Sequence, residues 1–410
     1  MSNIVTIPHQ QADSRTGTPT WLSTDEKGRF VIDEPAFVRS FINSHGLSYT
    51  DPVTHRQRPV YGKTQAECKR KLDAKLTEIR SGSYVAPDKI TVSAWLDTWF
   101  DTFYRRTVKA STAATTKGNI DKLSAALGDY SLQKLSALHI QRFISKELDA
   151  GRKVSTVRRY LKALRQALEQ ARDTGKINHD PLRGIKLPTM EKAEIQFLSH
   201  AEQKAFLAAC PSTTNGRALR FLLLTGMRVS ELCGLKWQDV QEDGLHVERI
   251  NMTIKDLQED GYVNVTTPPK TKAGKRIIPL TQQARALLEE QRSVYLRERL
   301  KAGSAWATDD TGKPSSYIFA NRIGHPADRH NLNRAFRGIL DKIGLPGRGV
   351  HTLRHTFATN WIQQSPDVVA LARVLGHSDP SFTYRTYCHA DQQSINQGMT
   401  MMEAFFANVK

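Results

Sequence analysis

Four short segments in the second half of the chain carry residue types from which a reactive site can be built. In residues 224–232, Gly226 ends one helix and Ser230 lies near the start of the next. That puts Arg228 in the turn beside a helix N-terminus, where backbone N–H groups also favour anions. Lys270 stands on or beside a hairpin, from which an ammonium reaches a groove or delivers a proton. His351 and Arg354 are spaced to share one helix face. His351 and His355 have the i, i+4 spacing of a zinc helix, but the Glu of His-Glu-x-x-His is missing and no third ligand is obvious nearby, so no metal is expected. The last segment, residues 375–379, contains His377, with Tyr384 and Tyr387 following. Singly, these are a surface arginine, a solvated turn and a core tyrosine. Jointly, they set a tyrosine beside two arginines, two histidines and a lysine, a set suited to binding an anion and moving a proton.

The elements that must position these residues follow from periodicity and turn chemistry. From about residue 194 to 410 the pattern mixes helices with a small sheet. Strands are expected at 246–254, 262–267 and 276–280, with a hairpin turn signal at 272–275 between the last two. Ser199 and Glu202 form a capping box that opens a helix, and Asp379 with Pro380 fits another helix start. Residues 89 to about 175 read as all helix. Val92, Trp95, Leu96, Trp99 and Phe103 keep the helical rhythm there, and Ser136 and Ser155 look like N-caps. The last of these helices carries Arg158, Arg159, Lys162 and Arg165 on its polar face, which suits a phosphate backbone and a solvated surface about equally. Residues 180–188, with proline near both ends and basic residues between, read as a linker.

Residues 1 to about 88 mix strand-like pieces and turns with a helix at 64–79, whose apolar positions are Ala66, Leu72 and Leu76. Arg56, Arg58, Lys63, Lys69, Arg70, Lys71 and Lys75 make this region basic. The tail after Asp391, with Met399, Met402, Phe405 and Phe406, fits a helix with an apolar stripe that packs on its own chain or on a neighbouring copy. The expected fold is multidomain, mainly α with small β-sheets, divided at 1–88, 89–187 and 188–410.

Composition agrees with an anionic partner. The 410 residues carry 59 Lys and Arg against 41 Asp and Glu, a formal net charge of +18. A surplus this large points first to nucleic acid, ahead of a basic housekeeping enzyme or a membrane-surface protein. The four cysteines, Cys68, Cys210, Cys233 and Cys388, lie far apart and suggest neither a disulfide framework nor a zinc ribbon. No stretch approaches the ~20 apolar residues that span a bilayer. The first eight residues have no basic start followed by an apolar run, so a cytoplasmic protein is expected.

The set of Arg228, Lys270, His351 with Arg354, His377 and a following tyrosine resembles the tyrosine recombinases, the family of phage integrases and Xer-type resolvases. The motifs match in order and relative spacing over about residues 194 to 390. Residues 89–187 resemble the family's helical core-binding domain, through Ile90, Thr91, Val92, Trp95 and Leu96 at its start and Asp180, Pro181 and Leu182 at its exit. Residues 61–67 more loosely resemble the small α+β arm-binding domain of the longer integrases, whose DNA contacts here would include Lys69 and Arg70. The resemblance implies a mixed α/β catalytic domain in which Tyr387 is the nucleophile and Arg228 and Arg354 clamp the scissile phosphate. It further implies Lys270 as general acid for the leaving 5′ oxygen, with His351 as a general acid/base or phosphate ligand. His377 would be a further donor to the phosphate, and Glu231 a buttress. Lys272 or Lys275 could stand in for Lys270, Tyr384 competes with Tyr387, and His355 is expected to pack structurally.

Elementary chemistry agrees with those roles. Attack on a phosphodiester gathers negative charge on the non-bridging oxygens, and two guanidiniums bind it in forked geometry. A covalent 3′-phosphotyrosine would store the bond energy, so the resemblance implies no cofactor, neither ATP nor metal. It implies double-stranded DNA as partner, at core and arm-type attachment sites, a homotetramer acting through a Holliday junction, and host DNA-bending and directionality factors. The rival readings are a type IB topoisomerase-like relaxing enzyme and a non-catalytic DNA-binding protein with a recombinase fold.

Overall fold

A computed structural model describes residues 22–24, 30–32, 47–62, 64–82, 84–190, 195–257, 259, 261–269, 271–309, 311–387, 399–400, 402–404 and 406–407. The protein is mostly helical with small antiparallel sheets and divides into two units, Met1–Met190 and Glu191–Lys410. None of its described helices is long and apolar enough to cross a membrane. Lys63, Lys270, Cys388 and Phe405 lie outside the described residues.

The first unit opens with two small hairpins, β1 (Leu22–Thr24) with β2 (Phe30–Ile32), and β3 (Ser48–Thr50) with β4 (Gln57–Pro59). The turn of the second forms because the buried Asp51 carboxylate accepts from the Val53 and Thr54 amides and from Arg58. Helix α1 (Gln65–Arg80) is capped by the Thr64 hydroxyl. Its inward face differs from the expected one: Ala66 is exposed, while Cys68 is buried and Leu72 and Leu76 are half-buried.

The helical core follows, made by α2 (Val92–Trp99), α3 (Ala110–Leu127), α4 (Ala137–Asp149) and α5 (Val154–Asp173). Val92, Trp95, Leu96 and Trp99 are buried as their spacing predicts, but Phe103 is not. The chain widens into a π turn at Phe100–Tyr104, with the Arg105 amide bonded to the Phe100 carbonyl. The wider turn buries Phe100 and rotates Phe103 outward. Ser136 caps α4, whereas Ser155 lies inside α5, whose cap position is Lys153. The expected linker is only partly free: Leu182 is buried in the helical core, and Ile185 and Leu187 pack against it.

The second unit has one large core built on Phe206, Phe221, Phe319, Phe336 and Leu353. Its elements are α6 (His200–Ala209), α7 (Thr214–Thr225), α8 (Val229–Gly234), five strands, α9 (Gln282–Ala302), α10 (Arg329–Lys342), α11 (Thr352–Gln364), α12 (Val368–Leu375) and α13 (Pro380–Tyr387). The strands are β5 (Val240–Gln241), β6 (Gly244–Val247), β7 (Ile250–Lys255), β8 (Tyr262–Thr267) and β9 (Arg276–Ile278).

Strand pairing corrects the sequence reading twice. The expected strand at 246–254 is two strands, because Arg249 turns back to Asp239 and its backbone packs against Gly234, where a Cβ would meet the Arg249 carbonyl at 2.9 Å. The hairpin partner of β8 is β7, and β9 pairs with β6 instead. The 272–274 turn is therefore a 3₁₀ connection between two sheets. It holds Lys272, with Lys275 between it and β9.

Gly226 fixes the turn between α7 and α8. Its φ is +63°, and an added Cβ would lie 2.2 Å from Phe357 Cδ1. Gly226→Ala combines a left-handed penalty with an overpacked ring, so it is expected to destabilise the second unit by about 3 kcal/mol. Denaturant unfolding checks this through a lower midpoint at unchanged slope.

Candidate active site

Three helix junctions of the second unit bring the reactive types together. Arg228 occupies the N-cap of α8, just beyond the Gly226 turn. His351 caps α11, whose first turn holds Arg354 and His355. The α12 to α13 connection holds His377, because Gly376 ends α12 with φ +70°. A side chain at Gly376 would meet the Ala273 carbonyl at 2.9 Å, so the lysine-bearing turn lies against this junction.

Arg354 is buried and bound on three sides. It donates to the Gly226 carbonyl at 2.9 Å, the Leu375 carbonyl at 2.8 Å and His377 Nε2 at 2.7 Å. A guanidinium has five N–H groups, so most of its donors orient it and the rest remain for an anion. Burial, then the Arg228 charge, pushes its pKa down to about 9, which still leaves it charged at neutral pH.

His377 must be the acceptor from Arg354, since Arg has no lone pair to offer. Its proton then sits on Nδ1, which donates to Thr383 Oγ1 at 2.7 Å. Burial, then Arg354 and Arg228, holds His377 down to about 4, so it is neutral. In this arrangement His377 orients Arg354 rather than presenting an N–H to a phosphate.

Arg228 is the more open arginine. It donates to Glu231 at 2.8 Å and more weakly to the Leu375 and Gly376 carbonyls at 3.5 and 3.4 Å. Its own backbone N–H donates to Glu231 at 2.8 Å, so that amide is occupied within the cap. Glu231 is buried. Its carboxylate also pairs with Arg276 at 2.9 and 3.1 Å. Burial raises its pKa, but Arg276 and the Arg228 amide outweigh that and hold it below the carboxylate range.

Tyr387 closes the cluster from the end of α13, packed against Ala358, Leu371 and Leu375. Its hydroxyl lies 2.8 Å from His355 Nδ1. His355 was expected to pack structurally; its ring also touches the candidate nucleophile. The ring of His351 stands edge-to-face on His355 at 4.7 Å. Tyr384 is 60% exposed, and among the described residues no hydrogen bond joins it to the cluster.

Of the lysines, Lys275 pairs with Glu248 at 3.0 Å and Lys272 is exposed in the 3₁₀ turn. The remaining DNA-binding candidates lie in the first unit. Lys69, Arg70, Arg158, Arg159, Lys162 and Arg165 are all exposed. Arg165 lines a cleft of about 270 Å³ that also holds Glu169, Asp173 and Asp180, a mixed lining that suits phosphate less than a uniform basic face.

Two residues escaped sequence reasoning. His355 carried one signal, its i, i+4 spacing from His351. Arg276 carried none, being an ordinary strand-opening arginine until folding sets it beside Glu231.

The pattern described as "Phage integrase family" matches residues 189–394, and "Phage integrase, N-terminal SAM-like domain" matches residues 91–148. A tyrosine recombinase XerC-like protein of Caldanaerobacter subterraneus subsp. tengcongensis is 28% identical over 85% of this chain and 92% of its own. Among solved structures, the Tn1549 transposon integrase in complex with a circular intermediate DNA superposes with TM-score 0.63 at 20% identity, over 76% of this chain and 99% of that one. A lambda integrase tetramer bound to a Holliday junction superposes with TM-score 0.54 at 18% identity, over 91% and 97%.

Proposed function

The chain belongs to the phage integrase family, and from that premise we propose that it cuts and rejoins DNA strands through a covalent 3′-phosphotyrosine to integrate and excise a mobile element. The observation that carries this is the Tyr387 hydroxyl held by His355 beside the Arg354, Arg228 and His377 cluster. In this reading Arg228 and Arg354 bind the non-bridging oxygens of one phosphodiester. Their donors are fixed before substrate arrives, which is worth several kcal/mol in a transition state. Tyr387 Oη attacks phosphorus, the bond to the 5′ oxygen breaks, and Lys270 supplies the leaving oxygen with its proton. His351 assists at the phosphate.

The proposed organisation is an arm-type DNA-binding domain at 1–88, a core-binding domain at 89–187 and a catalytic domain at 188–410. Four protomers exchange strands on two duplexes in the cytoplasm, with host bending and directionality factors choosing between integration and excision. The solved tetramer of the lambda integrase supports that assembly. A topoisomerase-like enzyme would use the same chemistry without a partner protomer. Incubating two duplexes that carry the element's attachment sites, without added metal, separates the two: exchanged products are expected. Relaxation of supercoiled plasmid without exchange would favour the topoisomerase-like reading.

A further inference from the structure

We propose that His355 is a catalytic residue, the acceptor that takes the proton of the Tyr387 hydroxyl during attack and returns it on rejoining. The inference rests on the reading of Tyr387 as nucleophile.

Geometry carries it first. His355 Nδ1 lies 2.8 Å from Tyr387 Oη, within the 2.6–3.2 Å reach of a general base. The two rings are 5.7 Å apart, inclined by 51°. His351 lies on the other side of His355, and among the described residues no hydrogen bond joins it to Tyr387.

The surroundings set the protonation states. The groups facing the pair are His351 and Arg354 on α11, Arg228 at the α8 cap with Glu231 behind it, and His377 beyond Arg354. Burial, then the Arg354 charge, holds His355 below the usual histidine range, so the ring is neutral at pH 7 and Nδ1 can accept. Burial raises the Tyr387 phenol while Arg354 and Arg228 pull it down, and the net direction is upward. A phenol of that kind does not ionise unaided at neutral pH. It needs an acceptor in contact, and His355 is that contact.

The step balances as follows. The Oη–P bond forms as the Oη–H proton passes to Nδ1. The P–O5′ bond breaks, and the 5′ oxygen takes its proton from the lysine. Rejoining reverses both transfers: the 5′-hydroxyl attacks and gives up its proton to the lysine, and Tyr387 leaves by recovering its own from His355.

The test is single-turnover cleavage of a nicked suicide duplex carrying the element's own attachment core. It is followed against pH for wild type, His355→Gln, His355→Ala and Tyr387→Phe. Glutamine keeps a hydrogen-bond partner for the hydroxyl but cannot take its proton. His355→Gln is expected to bind the duplex like wild type and form adduct about 10²–10³-fold more slowly.

The acceptor is the neutral ring, so the wild-type rate falls as pH drops through the histidine pKa. That acid limb disappears in His355→Gln, whose rate climbs with pH towards phenol ionisation. Added imidazole restores adduct formation to His355→Ala, which also decides the matter should the glutamine variant not fold. A glutamine variant within about threefold of wild type with the same acid limb, or an alanine variant that imidazole does not rescue, overturns the proposal. Adduct formation by Tyr387→Phe would instead overturn the assignment of the nucleophile.

Discussion

Tyr387→Phe is expected to bind an attachment duplex as tightly as wild type and to form no covalent adduct, a loss on the order of 10⁴-fold or more. The substitution removes one oxygen and keeps the ring that packs on Ala358, Leu371 and Leu375, so the fold and the DNA contacts stay. Tyr384→Phe is expected to cleave within about threefold of wild type, because Tyr384 is 60% exposed while the Tyr387 hydroxyl is tied to His355. The His377 to Thr383 hydrogen bond fixes the start of α13 against the arginine cluster and thereby the depth at which Tyr387 ends it. Denaturing gels of trapped protein–DNA adducts read the result. Loss only in Tyr384→Phe would move the nucleophile, and a wild type that binds but never forms an adduct would favour the non-catalytic DNA-binding reading.

Glu231→Ala is expected to cost about 3–5 kcal/mol of stability in the second unit, because it strands a buried cation. Arg276 is 6% exposed and Glu231 1%, with two hydrogen bonds between them. Without the carboxylate, Arg276 keeps only the Val374 and Gly274 carbonyls, and Arg228 keeps only the weaker bonds to the Leu375 and Gly376 carbonyls. At the scale of a unit this size the midpoint falls by roughly 10 °C. Calorimetry checks it, with Glu231→Gln as the variant that keeps one acceptor oxygen for these donors and sets an NH2 group in place of the other. A melting temperature within a degree or two of wild type in Glu231→Ala would show that the carboxylate does not hold the site together. Activity should fall with stability, since Arg228 is then no longer aimed.

How much of this was legible in the sequence depends on the range of the interaction. Local signals read well. The Ser199–Glu202 capping box, the Gly226 helix end and the α11 face that carries His351 and Arg354 are all set by neighbours a few residues away. Errors came where the decision is non-local. One strand-like stretch at 246–254 does not reveal that Arg249 will turn back to Asp239 and split it between two sheets. Nor does it reveal that β9 will choose β6 over β8. The Phe103 error arose because a π turn breaks the 3.6-residue count on which the face was assigned. Arg276 was illegible because its main partner is a carboxylate 45 positions away. His355 had the right spacing, but spacing could not say whether its ring would turn to a metal, a core or Tyr387.

Arg354, proposed above to bind the phosphate, also holds the architecture, as does Arg276 beside it. Arg354 ties the end of α7 to the end of α12 through the Gly226 and Leu375 carbonyls, and Arg276 ties the start of β9 to the Val374 carbonyl. An evolving lineage is therefore not free to discard its chemistry at any of these positions. Drift at Arg354 or Glu231 strands buried partners and removes the protein from the cell, whereas drift at Tyr387 to phenylalanine leaves a folded, DNA-gripping descendant. Silent members of such a lineage should retain their arginines and betray themselves at the tyrosine.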